Sequence, residues 1–259
     1  MICMNFSQES DVTIVVTSCG RFDLLKRTLA SLEQFNTYPV KQVFITEDSG
    51  SELVKAAVPK HWLEHTIFII NNPKLGQLKS IDAAYSQVTT PWVFHCEDDW
   101  EFYRSGFIED SMALLKEKPE ALQVWLRSYY HDLRIHSSYV YLSELRVLDS
   151  IKYYEVLSSK EDWQGFSFNP GLRRLTDYLQ YAPYAQYSGE KELSRLYAAD
   201  NRPALILEND AVLHTGFGAH VEVSEEKIKK VQRKKREKIK NILFLIVGFI
   251  AAVLLNIFI

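Results

Sequence analysis

Short apolar runs rich in β-branched residues alternate with helically spaced stretches over the first hundred residues. "VTIVVTS" (12–18) predicts a buried strand ending at Cys19-Gly20. Phe22, Leu25, Leu29, Leu32 and Phe35 then recur at helical spacing until "NTYP" stops them. "VKQVFIT" (40–46) predicts a second strand ending at "EDSGS". A short helix around 51–58 and a third strand, "HTIFII" (65–70), follow. "NNPKLG" is a turn, 77–87 a helix, and "PWVFH" (91–95) a fourth strand that runs into Glu97, Asp98 and Asp99. Four strands alternating with helices predict an α/β fold with a mostly parallel central sheet flanked by helices.

In such sheets ligands collect at the carboxyl ends of the strands. Three of these ends carry polar residues: Thr17, Ser18 and Arg21 after the first strand, Glu47–Ser49 after the second, and Glu97–Asp99 after the fourth. Three adjacent acids repel one another and are costly to bury unpartnered, so the pattern points to a shared crevice that receives positive charge.

The second half changes character. Ten of the 14 tyrosines lie between Tyr129 and Tyr187, and "SSYVYLSELRVL" and "KYYEVLS" alternate as strands of a partly antiparallel region do. "GEKELSRLYAA" (189–199) predicts a helix, "PALILE" (203–208) a strand and "AVLHTGFGAH" a closing loop.

The net charge of −3 conceals a division. Residues 227–240, "KIKKVQRKKREKIK", hold nine Lys/Arg and one Glu; the rest of the chain carries 21 Lys/Arg against 32 Asp/Glu. So acidic a body argues against nucleic acid as a partner. Residues 241–259, "NILFLIVGFIAAVLLNIFI", carry no charge. As a helix they would span about 28 Å, close to the hydrocarbon thickness of a bilayer. The expected organisation is a folded domain at 1–222 (with halves at 12–100 and 101–222), a polybasic juxtamembrane segment at 223–240 and a transmembrane anchor at 241–259. The N-terminus shows no signal-peptide pattern. Basic residues before a span stay cytoplasmic, so the folded domain is expected on the cytoplasmic side of a single-pass C-terminal anchor. Three cysteines without metal-ligand spacing (Cys3, Cys19, Cys96) agree with a reducing compartment.

The ordered set "VTIVVTSCGRFDLLKRTLASL", "VFITEDSGS", "NNPKLGQLKSIDAAYS", "PWVFHCEDDWEF", "FSFNPGL", "GEKELSRL" and "AVLHTGFG" resembles the GT-A glycosyltransferases, the nucleotide-diphospho-sugar transferase fold. The likeness is to inverting enzymes of the family 2 type and the related β-1,2-N-acetylglucosaminyltransferases. It implies a nucleotide-diphosphate sugar donor, a glycan or lipid-linked acceptor and a Mn²⁺ or Mg²⁺ cofactor. Chemistry agrees, since a leaving nucleoside diphosphate gathers negative charge that a divalent cation stabilises. Such a cation needs only one or two protein carboxylates besides phosphate oxygens. In extended backbone Glu97 and Asp99 share a face, which makes Asp99 the principal metal ligand and leaves Asp98 toward ribose or metal-bound water.

The resemblance further implies that Asp48 contacts the nucleotide base, that Lys79 lies beneath the donor and that His214 is a late metal or diphosphate ligand. Arg21, opening the first helix, is a partner for the diphosphate or the base. The general base is expected at Glu190, with Glu192 and Asp162 as alternatives. Two other functions remain open for the same sheet. A sugar-phosphate nucleotidyltransferase would use a Gly-rich first loop, where "SCGRFD" has one glycine. A non-catalytic membrane-tethered module would not need the acids.

Overall fold

The computed structural model describes residues 4–163 and 165–216. The polybasic and apolar segments expected at 223–240 and 241–259 lie outside these. Among the described residues no helix is long and apolar enough to cross a membrane.

The first half begins with β1 (Val12–Ser18), α1 (Phe22–Phe35), β2 (Gln42–Glu47), α2 (Val54–Ala57), a 3-10 turn at Lys60–His65 and β3 (Thr66–Ile70). It continues with α3 (Gln77–Tyr85), β4 (Trp92–Glu97) and β5 (Trp100–Phe102). α1 forms because Leu25, Leu29 and Leu32 fall on one stripe, and all three are fully buried. Each such burial contributes about 1.5–3 kcal/mol. Asn36, extended and hydrogen-bonded to the Leu32 carbonyl, ends the helix.

β1 pairs in parallel with both β2 and β4, and β2 with β3. The chain therefore leaves β1 to one side through α1 and returns on the other side as β4. That reversal is a topological switch point, and the carboxyl ends of β1 and β4 open a crevice there.

The sheet holds a fifth strand that the sequence pattern did not predict. β10 (Gly171–Arg174) runs antiparallel beside β4, giving the order β10-β4-β1-β2-β3. Gly171 is required there, because a Cβ would come within 2.8 Å of the Val124 carbonyl on the strand behind it.

After β5 come α4 (Phe107–Glu117), an amphipathic helix not among the expected elements, and β6 (Gln123–Trp125). A π-turn at Tyr129–Leu133, α5 (Arg134–His136), β7 (Val140–Leu142), β8 (Arg146–Leu148) and β9 (Ile151–Ser158) follow. Beyond β10 lie α6 (Leu175–Tyr181), α7 (Glu190–Ala199), β11 (Ala204–Leu207) and β12 (Val212–His214). The second sheet runs β6-β11-β9-β7, with β8 also on β9; every pairing of β9 is antiparallel. The segment expected as a closing loop instead forms β12, which pairs with β5 and sets His214 against Trp100.

Candidate active site

β4 ends at Glu97, and Asp98 and Asp99 form the two-residue turn into β5. The turn is held from two sides. On one, the Trp100 and Phe102 N–H groups donate to Thr28 and Ser31 hydroxyls on α1, both at 3.0 Å. On the other, the Thr215 N–H and hydroxyl donate to the Asp99 carbonyl at 2.8 and 3.0 Å. Gly216 packs so closely that a Cβ would fall 2.2 Å from Asp99 Oδ2.

Because 98–99 is a turn, strict strand alternation stops at Glu97 and the expected separation of Asp98 from Asp99 does not hold. Both carboxylates meet one guanidinium. Arg21 pairs with Asp98 Oδ1 through one terminal nitrogen and with Asp99 Oδ2 at 2.7 Å through the other. The Cys19 N–H also donates to Asp98, at 3.3 Å. His214 Nε2 lies 3.3 Å from Asp99 Oδ2, and its ring packs 4.9 Å from Trp100.

Burial pushes the Asp98 carboxyl up despite Arg21 beside it. At Asp99 the same effect is outweighed by the hydrogen bond from His214 and the charges of Arg21 and His214, and its pKa is lowered. Arg21 therefore brings together three expected residues, its own guanidinium and the two acids, and β12 adds His214.

Glu97 stands to one side of this cluster. Its oxygens accept from Gln77 Nε2 at 3.1 Å and Trp100 Nε1 at 3.4 Å. Burial and the charges of Asp99 and Glu190 push its pKa up to about 8. Glu190, the first residue of α7, thus lies within electrostatic reach of Glu97. The residue as a whole is exposed, but its carboxylate turns back to the 166–169 segment, where Oε2 accepts the Phe168 N–H at 3.0 Å. Burial raises its pKa, opposed by that N–H and by Arg173 and Arg127.

The two alternatives for the base lie elsewhere. Glu192 is half-buried and accepts the Ser188 N–H at 2.6 Å, a cap on the first turn of α7. Asp162 is exposed and pairs with Arg195 at 2.8 Å.

Asp48 is buried. Its Oδ1 accepts from Asn71 Nδ2 and the Leu75 N–H at 3.0 and 2.7 Å, and its Oδ2 from the Gly76 N–H at 2.8 Å. The carboxylate clamps the 71–76 loop that opens α3. Its neighbour Glu47 does the same for the first loop, accepting the Gly20 and Ser49 N–H groups at 3.0 and 2.7 Å. Ser18 is buried, its hydroxyl without a hydrogen-bond partner, and Thr17 is half-buried. Lys79 is exposed on α3; the lysine at the crevice is Lys74, 3.2 Å from Cys19 Sγ.

Sequence reasoning also missed Arg127. It leaves the end of β6, forks onto Asp132 at 2.7 and 2.6 Å and lies 5.5 Å from the Trp100 ring. Its only sequence signal is an arginine just after an apolar strand.

Among the described residues no three His, Cys, Asp or Glu side chains form a ready metal centre. The donor types nevertheless suit a hard divalent cation completed by phosphate oxygens: the two carboxylates of Asp98 and Asp99 and the imidazole nitrogen of His214.

Solved structures share this fold. Residues 1–349 of S. aureus TarS in complex with UDP-GlcNAc superpose with a TM-score of 0.57 at 15% identity, covering 86% of this chain and 64% of that one. The mannosyltransferase PcManGT from Pyrobaculum calidifontis, in complex with GDP-Man and Mn²⁺, gives 0.55 at 12% identity, covering 78% and 57%. The chain thus spans less than two thirds of either structure. No curated protein matches the sequence. The family model for glycosyl transferase family 2 matches residues 13–174, from the first residues of β1 to the end of β10. That match takes in more than half of the 259 residues, both loops of the switch point and the acidic turn, and the chain belongs to glycosyl transferase family 2.

Proposed function

We propose that this glycosyltransferase moves a sugar, with inversion, from a nucleoside-diphosphate donor to an acceptor hydroxyl, with Mn²⁺ or Mg²⁺ as cofactor. The observation that carries this reading is the meeting of Arg21, Asp98, Asp99 and His214 at the ends of β1 and β4, with Glu190 within electrostatic reach of the adjoining Glu97. Glu190 takes the proton of the acceptor hydroxyl as its oxygen bonds to the anomeric carbon. The bond from that carbon to the diphosphate oxygen breaks, and the nucleoside diphosphate leaves with the electron pair. Asp99 and His214, with Asp98, would hold the cation, which when bound supplies Lewis-acid stabilisation to the leaving diphosphate. Arg21 offers the diphosphate a planar fork of donors, and Lys74 a second positive charge at the rim. Glu47 and Asp48 keep the two loops that form the crevice in place.

UDP-GlcNAc is the first donor to try, given the resemblance to β-1,2-N-acetylglucosaminyltransferases and the TarS complex that contains it. GDP-Man is the second. Incubating the detergent-solubilised protein with a panel of nucleotide sugars, with and without Mn²⁺, should release free nucleoside diphosphate. Pyrophosphate released from a nucleoside triphosphate would mark a nucleotidyltransferase instead, and no release from any donor a binding module.

The basic run at 227–240 and the apolar run at 241–259 support a membrane-anchored enzyme with its catalytic domain on the cytoplasmic face, acting on a glycan or lipid-linked acceptor. Protease treatment of sealed, right-side-out vesicles tests this placement. Digestion of the catalytic domain from outside would contradict it.

A further inference from the structure

Arg173 is a buried cation without an obvious counter-ion. It sits on β10 and is 5% exposed. One terminal nitrogen donates to the carbonyls of Ser167 and of Asn169, the latter at 3.2 Å. Nε and the other terminal nitrogen are buried without a hydrogen-bond partner, and no carboxylate among the described residues forms an ion pair with it. Burying a guanidinium this way is costly unless a negative charge lies in its field.

The two carbonyls it holds flank Phe168, whose N–H donates to Glu190. The guanidinium lies 5.6 and 5.5 Å from the Phe166 and Phe168 rings. α7 grips the same turn from its other side, with the Ser194 hydroxyl donating to the Phe166 carbonyl at 3.0 Å. Strand β10, the 166–169 turn and the start of α7 thus form one assembly with Glu190 at its tip.

We infer that Arg173 is a positioning residue for Glu190: its guanidinium fixes the turn that presents the Phe168 N–H to the Glu190 carboxylate, and it supplies the positive charge of that assembly. The inference rests on Glu190 acting as the base. Glu190 is faced by Arg173 from β10, Arg127 from beyond β6, Glu97 from β4 and the Phe168 N–H. Arg173 itself is packed among Tyr85, His95, Tyr184 and Tyr197. The tyrosines are held protonated by burial, and burial and Arg173 together lower the His95 pKa. None of the four supplies a negative charge. The carboxylate in the field of Arg173 is that of Glu190.

The test compares Arg173→Met, Arg173→Lys and Glu190→Gln in the full chain. It measures nucleoside diphosphate release across pH from whichever nucleotide sugar turns over, and donor affinity by calorimetry. Activity needs the ionised base, and losing a positive neighbour favours its protonated form. Arg173→Met should therefore lower turnover about 10-fold or more and move the acid limb of the pH profile up by about one unit, with donor affinity nearly unchanged. Arg173→Lys keeps the charge but not the fork. It should return the limb to its wild-type position while restoring turnover only in part.

A limb that stays in place in Arg173→Met, or that moves equally in both arginine variants, would overturn the inference. If Arg173→Met does not fold, Arg173→Lys decides: lowered turnover with an unmoved limb supports it, and wild-type turnover overturns it. Wild-type turnover in Glu190→Gln would instead remove the base assignment. Loss there, with intact Arg173 variants, would remove this inference alone.

Discussion

The two sheets use their strand ends differently. In the first, β1, β2 and β4 are buried on both faces, and each carboxyl end delivers a polar group to the switch-point crevice: Ser18, Glu47 with Asp48, and Glu97 with the Asp98–Asp99 turn. In the second, β7 and β8 leave Tyr141 and Val147 exposed, and the chemistry arrives indirectly. β6 sends Arg127 to the Trp100 ring, and the chain beyond β11 turns into β12 to bring His214 to Asp99. The first sheet brings the acids and Arg21 together, and the second half of the chain adds Arg127 and, through β12, His214. Division of labour of this kind predicts a graded response to substitution.

The largest effect belongs to Glu190. Glu190→Gln should lower turnover at least about 100-fold with donor affinity nearly unchanged, measured as nucleoside diphosphate release beside calorimetric donor binding. Equal losses in turnover and affinity would place Glu190 in donor binding and blur the contrast. His214→Ala comes next. It should raise the Mn²⁺ concentration for half-maximal rate several-fold, because His214 is one ligand out of several. An unmoved metal curve would make His214 purely a packing partner of Trp100.

Smallest are Glu192→Gln and Asp162→Asn, whose side chains bond Ser188 and Arg195 instead. Each should leave turnover within about 2-fold and the thermal unfolding midpoint nearly unchanged. A large loss of turnover in either would show that the base lies outside the crevice.

The same contrast explains what the sequence revealed. The parallel strands were legible because Val, Ile and Phe run uninterrupted through "VTIVVTS" and "PWVFH", and strands buried on both faces have that signature. The acids were legible because they end such a run. Glu190 and Glu192 were not separable by pattern, since both lie in one helical turn. Two residues along a helix rotate the side chain by about 200°, so Glu190 turns to the Phe168 N–H and Glu192 to the Ser188 N–H. Glu47 and Asp48 likewise adjoin at a strand end, and only the three-dimensional arrangement shows that each clamps a different loop. β5, β10 and β12 are three or four residues long and carry no periodicity to read. Arg127 and Arg173 owe their roles to neighbours distant in sequence, which no local pattern encodes.

The central claim is that Asp99, at the end of β4, couples the divalent cation to the donor diphosphate. Calorimetric titration of the full chain with UDP and with GDP, with and without Mn²⁺, tests it most directly, in the wild type and in Asp99→Asn. The account predicts that Mn²⁺ strengthens binding of at least one nucleotide in the wild type and that Asp99→Asn abolishes this dependence, and turnover with it, while the protein stays folded. Nucleotide binding that is equally Mn²⁺-dependent in Asp99→Asn, with unchanged activity, would contradict the account.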